Sequence, residues 1–412
     1  MRKLPRSFLV RRTRIREASV GSRYQPRPFH AHSLDNEKGE SAMTKELIVR
    51  TGPQEYECRE GVLSTLPKRL EERFVKNILI VHGAVSWQKA RPYLEALYKT
   101  DFSISEVAFS GECSYEEVDR IVRLASQNDC DAIIGVGGGK IMDAVKYAAA
   151  KAGCILSVMI PTLASNCAPW TPLSVMYTEE GVFIRYDFLQ QQASLLLLEP
   201  RLIIDSPKDF FVAGLADTLA KWYESDEILS LPENAQQPML MMARQAASIC
   251  RQSILDHAEL AIASLEAGEV TEAFVKLTEV ITSISGMVGG MGDAFARTTI
   301  AHEIHDAITN FPESHHFLHG HKVAYGIMVQ LAYEKKWAEI DNLIPFYEHL
   351  DIPKSLSDLH LDRLDAEDIM EIARLSTKPE APVHGLPYEV TAVLMAEAIQ
   401  ALDKYMANLP KL

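Results

Sequence analysis

The chain changes its hydrophobic rhythm once. From residue 43 to about 206, short apolar runs alternate with stretches whose apolar residues recur every three or four positions. Residues 77–81, 104–109, 131–136 and 154–160 are runs of the first kind, the last one stopped by Pro161. Between them, 115–128 sets Val118, Ile121, Val122 and Ala125 at helical spacing, and 91–98 and 141–152 read the same way. Strands alternating with helices predict a mainly parallel sheet covered on both faces. Residues 181–187 and 193–198 read as a small hairpin, and 201–205, just ahead of Pro207, as the last strand. Beyond that point the strand rhythm disappears, and 237–264, 270–291, 297–309, 323–336 and 366–375 read as helices. The expected architecture is α/β in two parts, a Rossmann-like parallel-sheet domain over 43–206 and an all-helical domain over 207–412. Ligand clefts favour such an interface.

Composition leaves this picture standing and removes some functions. At 412 residues, two domains fit better than one. With 47% hydrophobic and 24% charged residues the chain is ordinary for a globular protein. No apolar run reaches the roughly 20 residues that span a bilayer. The six cysteines are scattered without a C-x-x-C pair, which argues against a thiolate zinc cluster and fits a reducing cytoplasm.

Charge is uneven. Residues 1–42 hold ten Lys/Arg against four Asp/Glu, a net +6, so the rest of a chain at −14 carries −20. An acidic body argues against nucleic acid or an anionic membrane as the main partner. The basic stretch has no apolar segment of a secretory signal. It reads as a transit-type leader, a disordered tail, or sequence upstream of a start at Met43, and it stands outside the expected fold.

Candidate chemistry sits in three separated segments. Gly137, Gly138 and Gly139 fall between an expected strand and helix, followed by Lys140 and, in the helix, Asp143. A turn without side chains lets the backbone approach a pyrophosphate, and the amides and dipole at the helix start favour the anion. The competing reading is a tight turn that needs a positive φ. In the second segment Asp217 lies near the start of an apolar helical stretch. In the third, His302 and His305 are three apart and share one helix face, and His319 precedes Gly320 at the start of the next helix. One carboxylate and two imidazoles with an open position are what a catalytic Zn²⁺ or Fe²⁺ takes. By residue pattern alone, Asp217 also fits a helix cap and either histidine a buried structural one. His302-Glu303-Ile304-His305 is one residue short of the zinc-protease H-E-x-x-H, and His315, His316 and His321 around His319 look like a metal tract on a surface loop.

These segments, in order with 161–165, 173–177 and 319–326, resemble the glycerol dehydrogenase branch of the iron-containing alcohol dehydrogenase superfamily over about residues 43–400. The resemblance implies a dehydroquinate synthase-like architecture, with a nucleotide-binding sheet domain, a helical metal-binding domain and the active site between them. It implies NAD or NADP contacts from Gly137, Gly138, Gly139, Lys140, Asp143, Thr162, Ser165, Thr171, Leu173 and Tyr177. It implies one divalent metal (Zn²⁺ or Fe²⁺) on Asp217, His302 and His319, with His305 behind them in a supporting or proton-relay role. It also implies a homo-oligomer.

Two departures from the family pattern change the expectation. Glycerol dehydrogenases carry a polyol-binding aspartate where this chain has Cys167, and Trp170 adds bulk nearby. That places the chain nearer a hydroxycarboxylate dehydrogenase-like subgroup, with Cys167 and Trp170 as substrate-side residues. NAD-preferring relatives end their first strand close to an acid that would repel a 2′-phosphate. Here that strand ends in His82-Gly83, so NADP(H) is tolerated.

The expected activity is therefore metal-dependent, NAD(P)-linked hydride transfer on a small alcohol, polyol, or 2-hydroxy or 2-oxo acid. The rivals are a dehydroquinate synthase-type lyase, for which Lys140, Lys221 and Lys322 make a thin set of cations, and a non-catalytic nucleotide-binding protein with a vestigial metal site.

Overall fold

The computed structural model describes residues 46–409; the basic stretch 1–42 lies outside them. Six parallel strands form one sheet: β1 (Glu55–Cys58), β2 (Asn77–His82), β3 (Ser103–Ala108), β4 (Ala132–Gly137), β5 (Leu156–Pro161) and β8 (Leu195–Leu198), in the order β1-β8-β5-β4-β2-β3. Side chains alternate across it. Ile78, Ile80, Ala132, Ile134, Val158 and Ile160 enter a core on one face with Val62, Leu66 and Leu70. Leu79, Val81, Ile133 and Met159 enter the other. That second core runs on through the helix Gly139–Lys151 into the helical half without a break, so the two halves share one apolar interior.

The chain moves from β2 outward to β3, then returns to place β4 on the other side of β2. The strand order thus reverses between β2 and β4, and the crevice at their carboxyl ends is where open α/β sheets bind ligands. His82 and Val136 are partners in register there, one residue ahead of Gly137.

Three sequence expectations are corrected. The hairpin joins β6 (Leu173–Tyr177) to β7 (Phe183–Phe188), and the 193–198 run pairs instead with β1 and β5 in the main sheet. All four residues of β8 are buried, a pattern suited to a strand covered on both faces rather than to a hairpin arm. The stretch 201–205 is not a strand: Pro200–Ile203 is one helical turn, started by Pro200 and by the Glu199 side chain accepting from the Arg201 amide. Residues 91–98 form two 3₁₀ turns, Arg91–Leu94 and Leu97–Lys99, after a short helix Ala84–Ala90.

From Pro200 on, every regular element is helical. Lys208–Leu229 and Pro238–Ala267 are the long members. The run expected at 270–291 is Glu272–Glu279, a π turn Val280–Ile284, and Ser285–Gly292. Ile300–Ile308, His319–Tyr333 and Ala366–Ser376 match expectation within a few residues. Trp337–His349, which contains Pro345, and Ala392–Ala407 were not anticipated. None of the described helices is long and apolar enough to cross a membrane.

Candidate active site

Asp217, His302 and His319 converge. Each offers one ligand atom, and these atoms all lie within 4.8 Å of one another. Nε2 of His302 and Nε2 of His319 stand 3.2 and 3.3 Å from the same Asp217 oxygen, Oδ1. Asp217 is in the middle of Lys208–Leu229, which removes the helix-cap reading; His302 is in the first turn of Ile300–Ile308, and His319 is the first residue of His319–Tyr333.

Glycines make this convergence possible. A Cβ on Gly320 would lie 1.8 Å from the Ala213 carbonyl oxygen, so only glycine lets the His319 helix approach the Asp217 helix so closely. A Cβ on Gly214 would lie 2.3 Å from the Ala164 carbonyl oxygen, so the same helix also presses on the 162–167 loop of the sheet half.

Carboxylates behind the imidazoles fix their tautomers. Glu224 Oε2 lies 2.6 Å from His302 Nδ1, while its Oε1 accepts from the amides of Thr299 (2.8 Å) and His302 (3.0 Å). With a carboxylate at Nδ1, the His302 proton belongs there and the Nε2 lone pair faces Asp217. A longer chain serves His319. Asp306 Oδ1 accepts from His305 Nδ1 at 2.8 Å, which leaves His305 Nε2 to accept from His319 Nδ1 at 3.0 Å. The His319 Nε2 lone pair is thereby free.

Without an ion the same groups draw a proton into the place a cation would take. Burial works against an ionised Asp217, but Lys221 and the two imidazoles outweigh it and hold the carboxyl well below its usual range. Burial also works against a charged His302, yet Glu224 lifts it to about 9. His305 is held well below the usual histidine value by burial and by His319 beside it. Asp217 Oδ1 is buried with no aligned hydrogen-bond donor of its own. An orphaned carboxylate oxygen facing two imidazole lone pairs is a donor set that fits a divalent cation, and its O/N/N chemistry suits Zn²⁺ or Fe²⁺.

The dinucleotide candidates gather at the switch point. Gly138 caps the helix Gly139–Lys151 with extended backbone, and a Cβ there would meet only Leu163. Gly139 lies under Asn166, where a Cβ would be 2.6 Å from Nδ2. The Thr162 amide donates to the Gly137 carbonyl at 3.0 Å, which ties the next loop to the glycine turn. Ser165 is the residue whose Cα packs on Gly214. Lys140 pairs with Glu112 and sits over the Tyr177 ring.

Asp143 has a different situation. It is buried, pairs with Lys146 at 2.8 Å and accepts from the Val175 amide at 3.1 Å. Lys146 in turn donates to the carbonyls of Ala168, Thr171 and Leu173. This pair, one helical turn apart, anchors the loop and strand that carry Thr171, Leu173 and Tyr177.

Cys167 is half-buried, and burial raises its thiol pKa, with Lys221, Asp217 and Ser285 as neighbours. Trp170 is a wedge between the halves: its indole donates to the Thr51 carbonyl at 2.8 Å, stands edge-on to Tyr56 and packs on Gly52 and Gly286. Sequence reading gave no role to Glu224, Asp306 or Lys146. Glu224 is seven residues from Asp217, on the same helix face, which was the one available signal.

Comparison with known proteins agrees with this geometry. Residues 53–200 match the family described as iron-containing alcohol dehydrogenase. The chain is 30% identical over 361 residues to hydroxycarboxylate dehydrogenase A of Escherichia coli (strain K12), covering 88% of this chain and 99% of that one. It is 34% identical over 313 residues to a glycerol dehydrogenase of Pseudomonas putida, covering 75% and 84%. The crystal structure of glycerol dehydrogenase from Schizosaccharomyces pombe superposes with a TM-score of 0.80 at 27% identity, covering 88% of this chain and 92% of that one. The chain belongs to the iron-containing alcohol dehydrogenase family, in its glycerol dehydrogenase branch, and is a metal-dependent, NAD(P)-linked oxidoreductase acting on CH–OH donors.

Proposed function

We propose that this oxidoreductase interconverts 2-oxo acids and 2-hydroxy acids in preference to glycerol. The observation that carries the reading is Cys167: a thiol near Asp217 and Lys221 stands where a polyol site would carry a second carboxylate, so apart from Asp217, which the ion engages, that wall has no acid to bind a polyol's hydroxyls or repel a substrate's carboxylate. The 30% identity to hydroxycarboxylate dehydrogenase A supports it.

Asp217, His302 and His319 are the residues that hold the divalent ion, which supplies Lewis-acid polarisation of the substrate oxygen. Glu224 and the Asp306–His305 pair keep both ligand imidazoles turned with Nε2 inward. Gly137, Gly138 and Gly139, with Lys140, Thr162 and Ser165, take the dinucleotide, which carries the hydride. Asp143 and Lys146 hold Thr171, Leu173 and Tyr177 along the nicotinamide side. Trp170 limits the substrate space by closing the turn after Cys167, its amide donating to the Cys167 carbonyl at 2.9 Å. His82 stacks on Trp87 at the end of β2, with no acid to exclude a 2′-phosphate, so NADP(H) is used as well as NAD(H).

The sheet half, 43–206, acts as the nucleotide-binding domain and 207–412 as the metal-binding domain. The enzyme works in the cytoplasm as a homo-oligomer. Six free cysteines support the compartment, and exposed Met239, Met241 and Met242 on one helix support assembly.

The test is a substrate panel with NAD(H) and NADP(H) and added Zn²⁺ or Fe²⁺. A 2-oxo acid should be reduced with kcat/KM about 10²-fold above that for glycerol oxidation. Cys167→Asp should raise glycerol activity and depress 2-oxo acid activity. Glycerol turnover equal to the best 2-oxo acid, unaltered by Cys167→Asp, would defeat the substrate reading.

A further inference from the structure

The helix that bears Asp217 brings a second charge to the same point. Gly214, Asp217 and Lys221 are spaced three and then four residues apart, so they share one helix face. Gly214 shows where that face is pressed: an added Cβ would lie 2.3 Å from the Ala164 carbonyl oxygen and 2.9 Å from Ser165 Cα, on the loop that leads to Cys167. The Lys221 side chain is 11% exposed, and its Nζ lies 3.7 Å from Asp217 Oδ1, the oxygen that His302 and His319 also face.

At that distance Lys221 has an ion pair but no hydrogen bond. Among the described residues no side chain or carbonyl accepts from its three N–H donors. The side chain is mostly covered, but its ammonium is not among the fully buried atoms that lack a partner, so it keeps three donors within reach of solvent or a ligand. The neighbouring Cys167 and Cys250 offer only thiols, which are weak acceptors. Charge balance points the same way. With the ligand imidazoles neutral, as ligation requires, Asp217 and Glu224 give two negative charges against the one positive charge of Lys221. A divalent ion on the three ligands leaves the pocket one charge positive and commits Asp217 to the ion. Lys221 then lacks an anionic partner.

We propose that Lys221 receives the carboxylate of the substrate, between its ammonium and the Cys167 thiol, while the oxygen on the adjacent carbon faces Asp217, His302 and His319. The proposal rests on the 2-oxo acid reading and names the residue that enforces it. A thiol as neighbour, in place of a carboxylate, leaves the ammonium available to the ligand.

The test compares pyruvate with hydroxyacetone, which keeps the carbonyl and carbon skeleton but lacks the charge, in the wild type, Lys221→Met and Lys221→Arg. Metal content by elemental analysis reports on the neighbouring ligands. In Lys221→Met, kcat/KM for pyruvate should fall about 10²-fold, mostly through KM, while hydroxyacetone falls less than about tenfold and the ion is retained. Lys221→Arg should recover part of the pyruvate preference. Propionate, as an inhibitor of hydroxyacetone reduction, should bind at least about tenfold more weakly to Lys221→Met. Equal losses on both substrates, or an unchanged pyruvate to hydroxyacetone ratio, overturns the proposal. If the wild type shows no preference for pyruvate, the substrate reading fails by itself. Lys221 is then decided by propionate, whose unchanged inhibition constant in Lys221→Met overturns the anchor and whose rise sustains it.

Discussion

The sheet half and the helical half reach the same cleft with different parts of the chain. The sheet half offers backbone: the turn at Gly137–Gly139, the Thr162 loop bonded back to it, and a hairpin stitched in place by Lys146. The helical half offers side-chain tips: one carboxylate oxygen and two Nε2 atoms, aimed by Glu224, His305 and Asp306. The first kind of site depends on atoms being absent. The second depends on helices being close enough for short side chains to meet. The two halves should therefore fail differently.

The sharpest contrast comes from one glycine in each half. In Gly320→Leu, the side chain must enter space held by the Ala213 backbone, so the His319 helix has to move away from Asp217. Metal affinity should drop by about 10²-fold or more, and turnover with it, with a stability loss of at least about 1–3 kcal/mol. Isothermal titration with Zn²⁺ reads the first effect and chemical denaturation the second. In Gly138→Leu the added Cβ meets only the Leu163 side chain and no backbone, so the fold and metal binding should survive. Nucleotide affinity should fall by about tenfold to 10²-fold, because the added side chain keeps a pyrophosphate from the helix amides. If each variant damaged both ligands equally, the division of labour would be wrong.

A smaller effect distinguishes the halves by pH. Lys322, in the first turns of the His319 helix, is 6% exposed, and burial lowers its pKa to about 8. The folded protein thus releases this proton near pH 8, whereas the unfolded chain holds it to about 10.5. Between those values the unfolded state binds more protons, so this group's contribution to stability rises with pH; below 8 the cost is constant. Lys322→Met should remove that cost. It should be more stable at pH 7 by about 1–3 kcal/mol, with the gain fading above pH 8. Thermal melts from pH 6 to 10.5 check this, and a variant less stable at every pH would contradict it.

How much of this could be read from the chain differs between the halves too. Strands β2, β4 and β5 show as apolar runs, and their alternation with helices implied the parallel sheet. Strand β1 does not show, because its Glu-Tyr-Glu-Cys is half charged; Glu55 and Glu57 at this edge pair with Arg69 and Arg73. The partner of β7 was misassigned because period-two patterns do not say which strand lies alongside. The set Asp217, His302 and His319 came from family resemblance, and the structure brings the three together. Glu224 was not given its place because its partner His302 lies 78 residues away. Asp306 and Lys221 stand next to His305 and one turn from Asp217, but spacing does not say which neighbouring charges turn inward. Trp170, expected on the substrate side, is also held by Thr51, Gly52, Tyr56 and Gly286, contacts that its position in the sequence does not show.

The central claim is that catalysis needs one ion held by the helical half while the sheet half binds nucleotide independently. Chelation followed by two readings on the same sample tests it most directly: NADPH or NADH binding by fluorescence, and turnover of a 2-oxo acid. The chelated protein should keep its nucleotide affinity within about threefold and lose at least about 10³-fold in kcat, and Zn²⁺ or Fe²⁺ should restore activity at one ion per chain in the wild type but not in Asp217→Asn. Full turnover by the metal-free protein, or restored turnover in Asp217→Asn at the wild-type stoichiometry, would contradict the account.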